Sequence, residues 1–260
     1  LPLSKSIKYP LFSVKQSDSH REDKQAQNLR FKVFSTELDA RARISGLFKK
    51  REVDEYDDKA KHIIVKVKES FWQPEKVIGA YRLLEYNHKE SLDESYSAQM
   101  GFDLDLLKTT HYNNFLELGR TCILPKYRKS PALKLLWKAL YNYIVSNNID
   151  VLFGCASFWT INPGEIANEL SYLKKYHLMD EDIMVFPTGR KYEIAPMNSH
   201  CNLPENIFRK LPSLIKAYIG VGAKFGDGAV IDYSFKSIDV FTYADCHSFD
   251  ERIHKYYGKK

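Results

Sequence analysis

Residues 115–158, FLELGRTCILPKYRKSPALKLLWKALYNYIVSNNIDVLFGCASF, constrain the fold more than any other stretch of the chain. Residues 115–124 read as a strand and 125–130 as a basic loop. A helix follows, with Pro131 suited to its first turn. Leu133, Leu136, Trp137, Leu140 and Ile144 form one apolar stripe at helical spacing, and Asn147-Asn148 ends it. Residues 149–158 are almost wholly apolar, the mark of a strand buried on both faces. The whole is a βαβ unit. Between Glu117 and Lys138 it carries six basic side chains (Arg120, Lys126, Arg128, Lys129, Lys134, Lys138) against one acidic one. A positive loop opening a helix is a place to hold an anionic group such as a phosphate, or to dock an acidic partner.

The flanking segments place this unit in a mixed α/β (α+β) fold with an antiparallel beginning. Residues 1–20 read as an arm or edge strand, and 21–260 as one domain. Residues 21–38 are helical, with Ala26, Leu29, Val33 and Phe34 at helical spacing. Residues 62–68 and 76–84 are strands joined by a hairpin loop, ESFWQPE. A short helix lies around Leu104–Lys108, a longer one over 164–176, and a short strand over 191–195. Pro212 opens a helix over 211–219. GAKFGDGAVID carries an Asp-Gly turn between two strand-like halves, and 237–243 is the last strand. The C-terminal third therefore reads as a helix-hairpin extension.

Length and composition narrow the function classes. A chain of 260 residues with 44% hydrophobic and 28% charged residues buries a real core. There is no apolar run long enough for a spanning helix, and the N-terminus has no signal-peptide core; the expectation is an intracellular protein. A net charge of +6 fits an acidic protein partner or an anionic membrane surface. It does not bring a nucleic-acid-binding motif with it. Cys122, Cys155, Cys201 and Cys246 are scattered and lack metal spacing, so they read as reduced, structural thiols.

Three groups of residues carry candidate chemistry. Glu117 and Arg120 are three apart and would point to opposite faces of a regular strand. Gly119 permits a bulge that returns both to one side and frees a backbone N–H for a developing oxyanion. Glu117 is then a general base or an amine ligand; a plain strand with a surface ion pair is the alternative. The loop KYRKSP lacks glycine, and Pro131 lacks a donor, so a tight pyrophosphate cradle is disfavoured. Asp54, Asp57 and His62 in DEYDDKAKH suit an ammonium better than a metal, or form a solvated acidic loop.

RFKVF at Arg30–Phe34, DEYDDKAKHIIV, VIGAYRLL, ELGRTCILPKYR, LLWKAL, LFGCASF and LPSLIKAYIGVGAKFGDGAVIDYSFKSIDVF together carry a resemblance over roughly residues 25–245. The chain resembles the GNAT-type, hemolysin-like N-acyltransferases of the L-ornithine N-alpha-acyltransferase and N-acyl amino acid synthase family. Acyl-homoserine-lactone synthases are similar more remotely. The resemblance implies a GNAT fold with a long-chain (3-hydroxy)acyl thioester donor on acyl carrier protein. It implies an amino acid acceptor, foremost ornithine, and a lyso-ornithine-lipid-type product. It implies no cofactor beyond the phosphopantetheine arm that the carrier brings, and no metal. By position, Glu117, Gly119 and Arg120 fall at the reacting centre. Arg128, Lys129, Lys126, Lys134, Lys138 and Ser157 fall on the donor side, and Asp54, Asp57 and Arg30 on the acceptor side. Trp159-Thr160-Ile161 departs from the small residue expected after GCASF. A cytoplasmic enzyme with peripheral contact at the inner membrane surface follows. The competing classes are a coenzyme-A-dependent acetyltransferase and a non-catalytic carrier- or lipid-binding module.

Overall fold

The computed structural model describes residues 10–38, 50–199 and 203–258. Cys201 and the start of the expected arm, residues 1–9, lie outside them. β1 (Leu11–Gln16) leads into α1 (His20–Arg30), where the Ser19 hydroxyl caps the first turn by accepting from the Glu22 amide. The helix continues in wider π-type turns over Phe31–Glu37. β2 (Lys61–Lys68) and β3 (Lys76–Tyr86) form the expected hairpin. α2 (Tyr96–Gln99), β4 (Phe102–Asp103) and α3 (Asp105–Lys108) cross one sheet face before β5 (Phe115–Ile123), α4 (Ala132–Ser146) and β6 (Val151–Phe158). Then come α5 (Ala167–His177), β7 (Phe186–Pro187), β8 (Glu193–Ala195), α6 (Ile207–Lys210) and α7 (Ser213–Gly220). β9 (Lys224–Asp232), β10 (Ser237–Asp245) and α8 (Glu251–Tyr257) close the chain.

The main sheet runs β1-β2-β3-β5-β6-β10-β9-β8, and β4 pairs with β7 apart from it. Every neighbour in the main sheet is antiparallel except β5 and β6, the two strands that α4 joins. The apolar stripe of α4 buries Leu136, Leu140 and Ile144 against Ile63, Leu83 and Leu116 on one sheet face. On the other face, α1 covers Ile64, Ala80 and Cys122 with Ala26 and Leu29, while Met100 and Leu107 cover Phe115 and Phe153.

The N-terminal segment meets one of its two expectations: residues 11–16 are the edge strand of the main sheet, paired with Ile63–Lys68. The C-terminal helix-hairpin is present as α7, β9 and β10 and extends the main sheet: β10 pairs with β6 along its length, from Ile238↔Phe158 to Asp245↔Val151. One expectation changes: Asp227 and Gly228 do not make a turn. They sit in a bulge within β9, where Asp227 holds Lys174 at 2.8 Å. The turn comes instead between Asp232 and Ser237, where the Asp232 carboxylate accepts from the amides of Ser234 and Phe235.

Candidate active site

β5 and β6 pair from Phe115↔Val151 to Leu118↔Gly154 and no further, although β5 runs on to Ile123 and β6 to Phe158. Beyond that apex the strands splay, and the facing edge of β5 has no strand partner among the described residues. Gly154 makes the apex possible: it has φ +152°, and a Cβ there would lie 2.3 Å from the Leu118 carbonyl oxygen. The splay opens into a cleft with a cavity volume of about 360 Å³, bordered by Gly119, Arg120, Ser157, Tyr218, Phe235 and Asp239 among others. That lies within the ordinary range for a small-ligand site. Behind the apex, sharing Leu118, Cys155 and Tyr218 with the cleft, lies a narrow, mostly apolar pocket of about 20 Å³ that reaches Trp137, Val221 and Thr242. On the other side, sharing Tyr96, Arg120 and Phe235, lies a polar pocket of about 110 Å³ bordered by Asp54, Lys191 and Asp232.

The expected bulge exists, one step further along than Gly119. Gly119 faces Arg82 and Cys122 faces Ala80, so Arg120 and Thr121 together oppose Tyr81. Arg120, not the glycine, takes the left-handed conformation at φ +53°. A Cβ at Gly119 would meet only the Arg82 guanidinium, at 3.9 Å. A non-glycine residue in this region carries about 1–3 kcal/mol of strain. Here the Arg120 side chain offsets it: Nε donates to Glu52 Oε1 and Nη2 to Asp54 Oδ2, each at 3.0 Å, and the guanidinium stacks between Tyr96 and Phe235 at 4.8 and 4.6 Å. The bulge thereby puts Arg120 on the sheet face that carries Glu117.

Arg120 is one member of a buried ionic network. Arg30, Arg82 and Arg120 meet Glu52, Asp54 and Asp57, and none of the six side chains is more than 10% exposed. Arg30 donates to Asp57 through both terminal nitrogens, at 2.6 and 2.8 Å, and to Glu52 through Nε; its Nη1 lies 3.2 Å from His62 Nε2. Arg82 donates to Asp54 at 2.6 Å. Burial pushes the Asp57 carboxyl up, but its bonds to Arg30 and His62 outweigh that and hold it well below the usual range. The acceptor-side reading of Arg30 and Asp57 is therefore corrected: both are enclosed, spend their charge on each other and border neither the cleft nor the polar pocket. Asp54 does border the polar pocket, with both oxygens held by arginines.

Glu117 is also enclosed, at 2% exposure. Oε1 accepts from the Ser97 amide and hydroxyl, each at 2.6 Å, and Oε2 from the Tyr96 amide at 2.9 Å and the Tyr86 hydroxyl at 3.0 Å. Burial raises its pKa, with the Ser97 and Tyr96 donors pulling the other way. Four donors leave no lone pair directed at the cleft, which Glu117 does not border. Its geometry is that of a positioning residue: it fixes the start of α2, and with it the Tyr96 ring that walls the cleft from the polar pocket.

Comparison with known proteins agrees with this architecture. A model of the acetyltransferase (GNAT) domain matches residues 29–138. The L-ornithine N(alpha)-acyltransferase of Brucella abortus (strain 2308) is 34% identical over 250 residues, covering 94% of this chain and 88% of that protein. The protein of the same name from Agrobacterium fabrum is 33% identical over 245 residues, covering 92% and 83%. The chain belongs to the L-ornithine N(alpha)-acyltransferase family. Among solved structures, TofI in a ternary complex with an inhibitor and MTA aligns at a TM-score of 0.50 and 14% identity, over 96% of this chain and 97% of that one, which shows the fold. The protein is thus an acyltransferase built on a GNAT-type mixed sheet.

On this acyltransferase, the donor-side residues separate. Arg128 and Ser157 border the cleft, and Lys129 is exposed on the same loop. Lys126 is held by Glu69 at 2.6 Å, Lys134 lies over the Tyr256 ring, and Lys138 borders a different groove, beside Val14 of β1. The five basic side chains do not form one patch. The start of α4 is not an open anion cradle: Pro131 has no N–H, and the Ala132 amide donates to the Ser130 hydroxyl at 3.2 Å. Burial pushes the thiols of Cys122 and Cys246 up to about 12 and that of Cys155 well above its ordinary value, so none is a ready nucleophile. Reading the sequence missed Asp239, an acid inside the apolar run SIDVFTYA that ends up on the cleft wall. A carboxylate at an inward strand position among apolar neighbours is itself a signal.

Proposed function

We propose that the protein transfers a long-chain acyl group from the phosphopantetheine thiol of acyl carrier protein to the α-amine of ornithine, giving a lyso-ornithine-lipid-type product. The observation that carries this reading is the succession of compartments: an apolar pocket behind the strand apex, a cleft at the splay, and a polar pocket beyond Arg120. A thioester in the cleft would direct its chain past Leu118 toward the apolar pocket, whose side chains part to admit it. An amino acid would enter through the polar pocket with its carboxylate toward Arg120. The names of the curated relatives support ornithine as the acceptor. Two buried groups support a hydroxylated chain. Trp137 Nε1 and Thr242 Oγ1 border the apolar pocket and have no hydrogen-bond partner among the described residues. Such groups are costly to leave unpaired, and a chain hydroxyl would satisfy them.

Carrier protein rather than coenzyme A is favoured because the α4 start offers no glycine cradle for a pyrophosphate, while Arg128 and Lys129 present charge at the cleft mouth to an acidic carrier. The test is release of free thiol from matched acyl-carrier and acyl-coenzyme-A donors against a panel of amino acids. Release with the carrier donor and ornithine, with N-acylornithine seen by mass spectrometry, is the expected result; no release, or a preference for coenzyme A, overturns the reading. Thr242→Val should narrow any preference for 3-hydroxyacyl over unsubstituted donors by about tenfold, the worth of one hydrogen bond. An unaltered preference removes the hydroxyl assignment alone.

A further inference from the structure

We propose that Asp239 is the proton acceptor for the attacking amine. The proposal rests on the acyl-transfer reading above and adds the residue that reading lacks, since Glu117 is saturated by donors. Asp239 lies on β10 directly across from Ser157 of β6, with its side chain on the cleft wall and 4% exposed. Its Oδ1 has no hydrogen-bond partner among the described residues. A buried carboxylate oxygen without a donor is expensive for a fold to keep, and such expense concentrates at functional sites.

The groups facing Asp239 come from four elements. Cys155 and Ser157 approach from β6, Asp232 from β9, Arg120 from β5 and Tyr96 from α2. Arg120 and Tyr96 are also the side chains shared by the cleft and the polar pocket. An amine passing from that pocket to a thioester in the cleft therefore passes Asp239. Burial raises its pKa to about 6, against the smaller opposing effect of the Ser157 hydroxyl. A carboxylate with that value is ionised at neutral pH and still more basic than a surface aspartate, the combination a general base needs.

The step balances without a further reactant. Asp239 takes one proton from the acceptor's ammonium, and the neutral nitrogen attacks the thioester carbonyl carbon. The C–N bond forms and the C–S bond breaks. The remaining excess proton on nitrogen goes to the departing thiolate, giving the amide and the carrier thiol, and Asp239 returns its proton to solvent.

Asp239→Asn keeps the shape and removes the base. It is tested in the full chain by pH profiles of kcat/KM with the acyl-carrier donor and ornithine, and by thermal melts across the same pH range. The expected result is a loss of about 100-fold or more in kcat with little change in donor KM, and disappearance of the acid limb near pH 6 from the profile. The melts supply a readout that needs no turnover. Because the folded pKa lies above the ordinary aspartate value, ionisation costs the native state nothing below about pH 4 and progressively more up to about pH 6. The variant should therefore melt above wild type at neutral pH and match it near pH 4. A variant with near-normal kcat, or one that keeps the acid limb, overturns the proposal while an active wild type leaves the acyl-transfer reading intact. An inactive wild type on every donor overturns the acyl-transfer reading, and the melts then decide by themselves whether Asp239 ionises as described.

Discussion

Gly154→Ala should lower the melting temperature by about 10 °C and reduce kcat/KM about 100-fold. The new methyl carbon would sit 2.3 Å from the Leu118 carbonyl oxygen and 3.3 Å from its carbon, and residue 154 would have to hold φ +152°. Both obstacles are backbone, so no rotamer change relieves them. β5 cannot retreat, because Leu116 and Leu118 are packed under α4 and the opposite edge of the strand is paired with β3. β6 must move instead, and with it the point at which the two strands part. The strain is about 3 kcal/mol, since it combines a disfavoured conformation with a hard contact. The activity loss has a separate cause: a shift of about 1 Å at the apex moves the thioester relative to Arg120 and Asp239. Thermal unfolding and steady-state kinetics on the same preparation check it. A variant that melts with wild type and turns over normally would show that the apex does not define the site.

That residues 115–158 form a βαβ unit could be read from the sequence, because a helix with an apolar stripe between two apolar strands leaves few packings. Three things could not. The ionic network was invisible because DEYDDKAK looks the same whether it is solvated or folded over Arg30, Arg82 and Arg120; only the return of those arginines from α1, β3 and β5 gives the carboxylates partners. The sequence points to Gly119 for the bulge because glycine is the residue that normally takes such conformations. Arg120 takes it instead, since Glu52, Asp54 and two aromatic rings hold its side chain more firmly than the strain releases it. The role of Glu117 is hidden for the same reason: the donors that occupy it come from Tyr96 and Ser97, and nothing local to ELGR announces them. Helix-bound lysines, by contrast, can be read as a patch in sequence and still be divided in space, as Lys134 and Lys138 are between α8 and β1.

Arg30→Met should lower the unfolding free energy by about 4 kcal/mol, the usual cost of removing one partner from a buried pair. The loss does not come from missing attraction alone. Asp57 would stay enclosed with its two close cation bonds gone and Arg82 no nearer than 3.9 Å, and Glu52 would keep Arg120 alone, while the shorter bond of Arg82 is already committed to Asp54. Asp57 in the intact protein is held below its ordinary value, so its contribution is fully present above about pH 4 and is lost only as the pH falls further, through the depressed folded value. In the variant the same carboxyl is buried with only His62 and the more distant Arg82 beside it, and its pKa rises. The stability gap between variant and wild type should accordingly be widest near pH 7 and narrow as the pH falls toward 4. Urea unfolding at several pH values measures it, and a gap independent of pH would mean that Asp57 is not what Arg30 stabilises. Combining Arg30→Met with Asp57→Asn should recover part of the loss, since the second change removes the stranded charge. The kinetic consequence separates a structural network from an acceptor site. If Arg30 bound the amino acid, the change would appear chiefly as a higher KM for the acceptor. With Arg30 enclosed as the structure has it, KM should stay near the wild-type value and kcat should fall, because Glu52 also fixes Arg120, whose strained backbone needs that bond to hold its place at the cleft.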